Sequence, residues 1–208
     1  AGLRDEKDLE RYKSFLKESE LREIPANHPR IGFVSLNIEE GIEQIERSIE
    51  GLENNSGKGF WELPQGICFR STALECEGGV VALFSGQGSQ YVGMGNELAN
   101  NFPTYLESVE SMDRHYVDDD LPRLSETVFP IPVFDEEAKS ANDKTLQQTP
   151  FAQPGIGTFS AGTYKIFTEA GFKADFVAGH SFGELTALWA AGVYDEDDFY
   201  ALAKARGQ

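Results

Sequence analysis

The sequence predicts an α/β fold: a parallel sheet from which one strand turns sharply into a helix at an exposed serine, preceded by a small α+β unit. Three observations carry this. Phe176-Val-Ala178 reads as a buried strand and Leu185-Thr-Ala-Leu-Trp-Ala-Ala191 as a helix, which puts Ser181 on the turn between them. Val80-Val-Ala-Leu-Phe-Ser85 is a second continuous apolar run, the pattern of a strand covered on both faces of a parallel sheet. Between this layer and what precedes it stands Glu75-Cys-Glu-Gly-Gly79, charges followed by a glycine pair, so two domains are expected, at residues 1–78 and 79–208.

In the first unit, residues 4–21 place Leu9, Tyr12, Phe15 and Leu16 on one side of a charged helix. After the breaker Ile24-Pro-Ala-Asn-His-Pro29 comes a strand over 30–36, then Asn37 as a helix N-cap with Glu39 and Glu40 in the first turn. The helix that follows carries Ile38, Ile42, Ile45, Ile49 and Leu52 on one apolar stripe, expected to face the core. It ends near Asn54-Asn-Ser-Gly57, and strands over 59–63 and 66–71 complete the unit. Nothing in residues 1–76 forms a catalytic constellation.

The second unit opens with the strand over 80–85, which stops at Gly86-Gln-Gly-Ser-Gln90. Glycines flanking Gln87 let the backbone turn off the strand end, where open α/β sheets bind ligands. No Lys-Ser/Thr pair follows, so this is not a phosphate loop. Residues 91–116 read as helix interrupted at Phe102-Pro103, and residues 117–150 are polar, with an extended Phe129-Pro-Ile-Pro-Val-Phe134 and a helix over 135–148. Thr149-Pro150 opens a longer helix bearing Ile156, Phe159, Tyr164 and Phe167, which stops at Gly171 before the strand over 174–178. Gly192 ends the helix after Ser181, and Asp195-Glu-Asp-Asp198 starts a last one over 197–206.

The turn itself is Gly179-His-Ser-Phe-Gly183, a G-x-S-x-G nucleophile elbow. Its two glycines supply room, because side chains two before and two after the serine would collide in so tight a turn. The start of the next helix aims free N–H groups and a partial positive charge at whatever bonds to the serine oxygen. An oxyanion is stabilised there.

Composition excludes several classes. A formal charge of −17, from 35 acidic against 18 basic residues, argues against nucleic acid and anionic membranes as partners. No stretch approaches the ~20 apolar residues of a membrane span, and the first residues lack a signal-peptide pattern, so a cytoplasmic location is expected. Cys68 and Cys76 fit no zinc or redox spacing and His28, His115 and His180 are scattered, so no metal site is expected.

Residues 80–208 resemble the malonyl-CoA:acyl-carrier-protein acyltransferase family. The resemblance rests on Phe84-Ser-Gly-Gln-Gly-Ser-Gln90, Gln153-Pro154, Gly179-His-Ser-Phe-Gly-Glu184 and Lys204-Ala-Arg-Gly207, four blocks in order. The wording from Val81 to Gly95 and from Leu185 to Val193 is similar to acyltransferase domains of polyunsaturated fatty acid synthases and related iterative polyketide synthases. Residues 1–78 are then similar to the linker subdomain between a ketosynthase and its acyltransferase. The resemblance implies an α/β-hydrolase-like acyltransferase core in which Ser181 attacks a malonyl thioester and carries the acyl group as an ester. Gln87 and the backbone N–H of Phe182 would form the oxyanion hole, and Arg206 would clamp the free malonate carboxylate, buried so that an unpaired state is costly. His180 and Gln153 would line the pocket. Malonyl-CoA and an acyl carrier protein with its phosphopantetheine are the implied substrate and partner, beside the ketosynthase and other domains of a parent synthase; no tightly bound cofactor is implied.

One departure matters. In this family the general base is a histidine well downstream of the serine, and no histidine follows Ser181 here. The expectation is an incomplete acyltransferase core, inactive by itself, with apolar sheet surface left uncovered and the C-terminal half of the domain as a further partner. The same elbow also serves serine hydrolases and thioesterases, which pass the acyl group to water, whereas a scaffold segment of a megasynthase has no use for Ser181.

Overall fold

The computed structural model describes residues 14, 25, 27–74 and 78–208. The chain forms two compact units, Ala1–Cys76 and Glu77–Gln208. The helix expected over residues 4–21 lies outside the described residues, Ser14 apart, as do residues 75–77 of the expected boundary.

The first unit pairs three antiparallel strands in the order β1-β3-β2: β1 (Arg30–Gly32), β2 (Phe60–Leu63) and β3 (Ile67–Arg70). Between β1 and β2 runs helix α1 (Ile38–Asn54), capped as the sequence predicts, with the Asn37 side chain accepting from the Glu40 N–H. The Glu40 carboxylate accepts in turn from the Leu36 N–H at 2.7 Å, which draws the chain out of β1. The strand expected over 30–36 therefore ends at Gly32.

The apolar stripe of α1 is not the buried face the sequence leads one to expect. The helix buries Gln44, Ser48 and Gly51 instead, while Ile45 and Ile49 stand 45% and 52% exposed. The reason is Trp61 of β2, stacked on Phe69 of β3 with ring centroids 5.3 Å apart. A Cβ on Gly51 would sit 2.7 Å from the Trp61 ring, so the indole docks where α1 has no side chain and turns the isoleucine stripe aside.

In the second unit β4 (Val81–Phe84) and β5 (Phe176–Gly179) form a parallel pair, with Val81 opposite Phe176 and Phe84 opposite Gly179. The connection holds α2 (Asn96–Asn101), α3 (Pro103–Val117), α4 (Leu124–Val128), α5 (Glu136–Leu146) and α6 (Thr149–Glu169); α7 (Gly183–Ala190) and α8 (Glu196–Gly207) follow β5. The α/β class with a parallel sheet is the one predicted.

The middle of α6 is buried and α3 and α8 pack against it, closing a core around Met112, Ile156, Phe182 and Phe199. Within the unit the expectation that β4 is covered on both faces fails. Ala82 and Phe84 turn inward, Phe84 meeting Tyr164 edge-on at 5.4 Å, whereas Leu83 is 78% exposed and Phe176, opposite Val81 on the same face, 64%. Among the described residues only one face of this two-stranded sheet is covered, so side chains alternate in and out along each strand.

Candidate acyl-transfer site

Ser181 occupies the junction of β5 and α7 with φ at +54°, the left-handed region that costs a non-glycine residue about 1–3 kcal/mol. The surroundings impose it. A Cβ on Gly179 would run into the backbone of Gly183 and Glu184, and one on Gly183 would run into the carbonyl of Phe84. Three backbone bonds close the turn: His180 N–H to Phe84 O at 3.0 Å, Gly183 N–H to His180 O at 2.9 Å, and Glu184 N–H to Ser181 O at 3.1 Å. The result is a serine whose side chain is exposed at the head of a helix.

Phe182 anchors the turn from below, its side chain wholly buried in the core. Its N–H stands before the first turn of α7, and among the described residues no acceptor takes it. Such a donor suits an oxygen that develops negative charge.

The loop after β4 lies against the elbow. A Cβ on Gly86 would stand 2.5 Å from the His180 carbonyl oxygen and 3.0 Å from Nδ1 of its ring, so only glycine lets the two turns touch. His180 is itself exposed. The loop is braced internally, with Ser89 Oγ donating to Gly86 O at 3.0 Å and the Gly88 N–H donating to Gln90 Oε1 at 2.8 Å. Gln87 projects from it toward α6, where its Oε1 accepts from Gln153 Nε2 at 3.0 Å and its Nε2 reaches Thr149 Oγ1 at 3.4 Å.

Arg206 lies in the last turn of α8, solvent-exposed rather than buried, with its guanidinium 5.7 Å from the centroid of the Phe182 ring. The burial expected of it is not found, because Gly207, not Arg206, is the residue pressed against α6, where its Cβ would meet Thr149 O at 3.0 Å and Pro154 Cδ at 3.1 Å. The structure thus links Gln87 to Gln153, and Arg206 to Phe182, the residue after Ser181. Thr149 joins this set unannounced, since nothing in the local sequence marks a helix-opening threonine as the neighbour of a glutamine 62 positions earlier.

His115 of α3 is engaged elsewhere in the second unit. His115 Nε2 lies 3.1 Å from Asp197 Oδ1, while its carbonyl and Asp119 both accept from the buried Lys204 ammonium. His28 belongs to the first unit. Among the described residues no group of three or more His, Cys, Asp or Glu side chains is placed to hold a metal ion, and no helix is long and apolar enough to cross a membrane.

Comparison with known proteins matches residues 81–207 to the acyl transferase domain family. The chain is 35% identical over 191 residues to a polyunsaturated fatty acid synthase polypeptide from a Thraustochytrium species, covering 89% of this chain and 7% of that protein. It is 36% identical over 129 residues to the malonyl CoA-acyl carrier protein transacylase of Bacillus subtilis, covering 62% of this chain and 36% of the relative. Among solved structures, the acyltransferase domain from the second module of the salinomycin polyketide synthase superposes with a TM-score of 0.65 at 26% identity, over 99% of this chain and 46% of that one. The chain therefore spans less than half the length of each of these proteins.

Proposed function

Because the chain belongs to the acyl transferase domain family, we propose that its second unit is the nucleophile-bearing part of an enzyme that moves malonyl groups from malonyl-CoA to an acyl carrier protein in fatty acid or polyketide synthesis. The observation that carries this reading is the strained, exposed Ser181 at the head of α7. Ser181 Oγ attacks the thioester carbonyl, the C–S bond breaks, and coenzyme A leaves as the thiol with the serine at an ester. The phosphopantetheine thiol of the carrier protein then attacks that ester and frees Ser181. In both steps the carbonyl oxygen gains charge, and the Phe182 N–H and the Gln87 amide are the donors assigned to it.

Arg206 supplies the cation for the free malonate carboxylate. Its place in the last turn of α8, with the guanidinium over the Phe182 ring, supports this assignment. His180 and Gln153 are assigned to the walls of the cleft. The general base lies outside residues 1–208, since no histidine follows Ser181, and these residues alone are therefore inactive. Residues 1–78 are assigned as the linker that joins this domain to a ketosynthase and 79–208 as its N-terminal part, a division in keeping with the two compact units and with the family match over 81–207.

The test is the fate of the acyl group. The parent synthase is given malonyl-CoA labelled in the acyl chain, with and without the carrier domain's phosphopantetheine. Label that moves to the carrier thiol supports transfer; label released as free malonate at the same rate in both makes the protein a thioesterase.

A further inference from the structure

We infer that Lys204 is a positioning residue that sets the place of Arg206; this rests on the reading of Arg206 as the cation for the malonate carboxylate. Among the described residues no hydrogen bond or ion pair holds the Arg206 guanidinium, which lies over the Phe182 ring. Where it stands therefore depends on how the last turns of α8 are seated. Lys204 seats them. Among the described residues it is the one charged side chain that is buried, at 6% exposure, and an ammonium leaves water only where partners replace its hydration. The His115 carbonyl and the Asp119 carboxylate accept from it, and the Tyr116 ring lies 5.3 Å away. At the end of α3, backbone N–H groups take the Arg114, Tyr116 and Val117 carbonyls but not that of His115. Lys204 supplies the missing donor, and its charge suits the negative end of the helix.

The same bond fixes the rotation of α8. Asp197, Tyr200 and Lys204 share one face of that helix, at intervals of three and four residues, and all three meet His115. Asp197 does so through the ring nitrogen at 3.1 Å, Tyr200 ring to ring at 6.4 Å, and Lys204 through the carbonyl. Arg206, two residues on from Lys204, is about 200° further round. Holding the Lys204 face to α3 thus turns Arg206 away from α3 and toward the elbow, where its guanidinium meets Phe182. The start of α8 has a further tie, from Glu196 to Lys165 of α6 at 2.9 Å. In the turn that carries Arg206, Lys204 is the polar side-chain tie among the described residues.

The test compares Lys204→Met, alone and combined with Arg206→Ala, in the full parent synthase. Time-resolved quenching and mass analysis read the rates of loading at Ser181 from malonyl-CoA and from acetyl-CoA. Lys204→Met keeps the length of the side chain but loses the ammonium, so the malonyl-to-acetyl ratio should fall by about 10-fold as Arg206 is misplaced. Adding the change to Arg206→Ala should lower the ratio no further. Equal slowing with both substrates, the mark of a merely structural role, overturns the inference, as does a parent ratio in Lys204→Met. If Lys204→Met does not fold, Asp119→Ala decides, because it removes an acceptor that is itself exposed. There the ratio should fall by about 3-fold, and a parent ratio overturns the inference. A ratio that Arg206→Ala leaves unchanged overturns the reading of Arg206 and this inference with it; a ratio that falls in Arg206→Ala but in no Lys204 or Asp119 variant overturns this inference alone.

Discussion

The guanidinium of Arg206 lies 5.7 Å from the ring centroid of Phe182, the residue that follows Ser181 in the elbow. One residue thus carries a buried anchor, an N–H that no acceptor among the described residues takes, and a platform for the cation assigned to the substrate carboxylate. A guanidinium over a ring at an exposed site gains about 0.5–1 kcal/mol.

Replacing Arg206 should alter substrate choice more than speed. Arg206→Ala in the parent synthase is expected to slow malonyl loading by about 10- to 100-fold and to leave acetyl loading unchanged, since only malonate presents a second carboxylate. Arg206→Lys should recover part of the loss, because it keeps the charge but not the fork. The ratio of loading rates from malonyl-CoA and acetyl-CoA is the measurement, and an unchanged ratio in Arg206→Ala would remove the clamp from the account.

The elbow glycines are steric requirements. Gly179→Ala and Gly183→Ala would each force backbone apart, and a destabilisation of about 3 kcal/mol is expected from thermal unfolding of the domain. A substitution tolerated at either site with no measurable fall in unfolding temperature would mean that the turn is looser than it stands here.

Tyr116 stands in for a missing helical bond. Pro154 has no N–H, so the Pro150 carbonyl one turn earlier in α6 has no intrahelical donor, and the Tyr116 hydroxyl of α3 supplies one at 2.6 Å. Tyr116→Phe should cost about 1–2 kcal/mol in urea unfolding. Restoring the backbone donor with Pro154→Ala should shrink that cost, whereas a cost that is the same in both backgrounds would contradict the explanation.

Three buried phenols set an alkaline limit. Burial pushes the hydroxyls of Tyr105, Tyr116 and Tyr200 well above their ordinary value of 10.0. The folded state therefore keeps protons that the unfolded chain releases, and stability present below pH 10 is lost as pH rises beyond it. Each tyrosine contributes a slope of up to about 1.4 kcal/mol per pH unit. Tyrosinate absorbance followed with far-ultraviolet dichroism should show these phenols ionising only as the domain unfolds; ionisation in the folded state would contradict their burial.

The elbow was legible because its requirements are local. Gly179, Ser181 and Gly183 encode a strand-to-helix turn within five residues, and the family wording around them is dense. The caps at Asn37, Asp135 and Asp195 act over three or four residues, and the helices they open fall within a residue or two of the expected starts. What escaped depends on tertiary partners. The α1 stripe reads as a core face until Trp61 is seen occupying the gap at Gly51. The short α4 rests on two buried residues, Leu124 and Val128, too few to show a period. The pairing of Gln87 with Gln153 joins positions 66 residues apart, a distance over which no local pattern speaks.

The proposed function requires that Ser181 be acylated by a malonyl thioester. The most direct measurement is peptide mass mapping of the parent synthase, quenched in acid seconds after mixing with malonyl-CoA, beside its Ser181→Ala variant. A malonyl ester found on the Ser181 peptide and absent from the variant is the predicted result. Malonyl loading that persists in Ser181→Ala, or a wild-type protein that acylates its carrier domain with this peptide never modified, would contradict it.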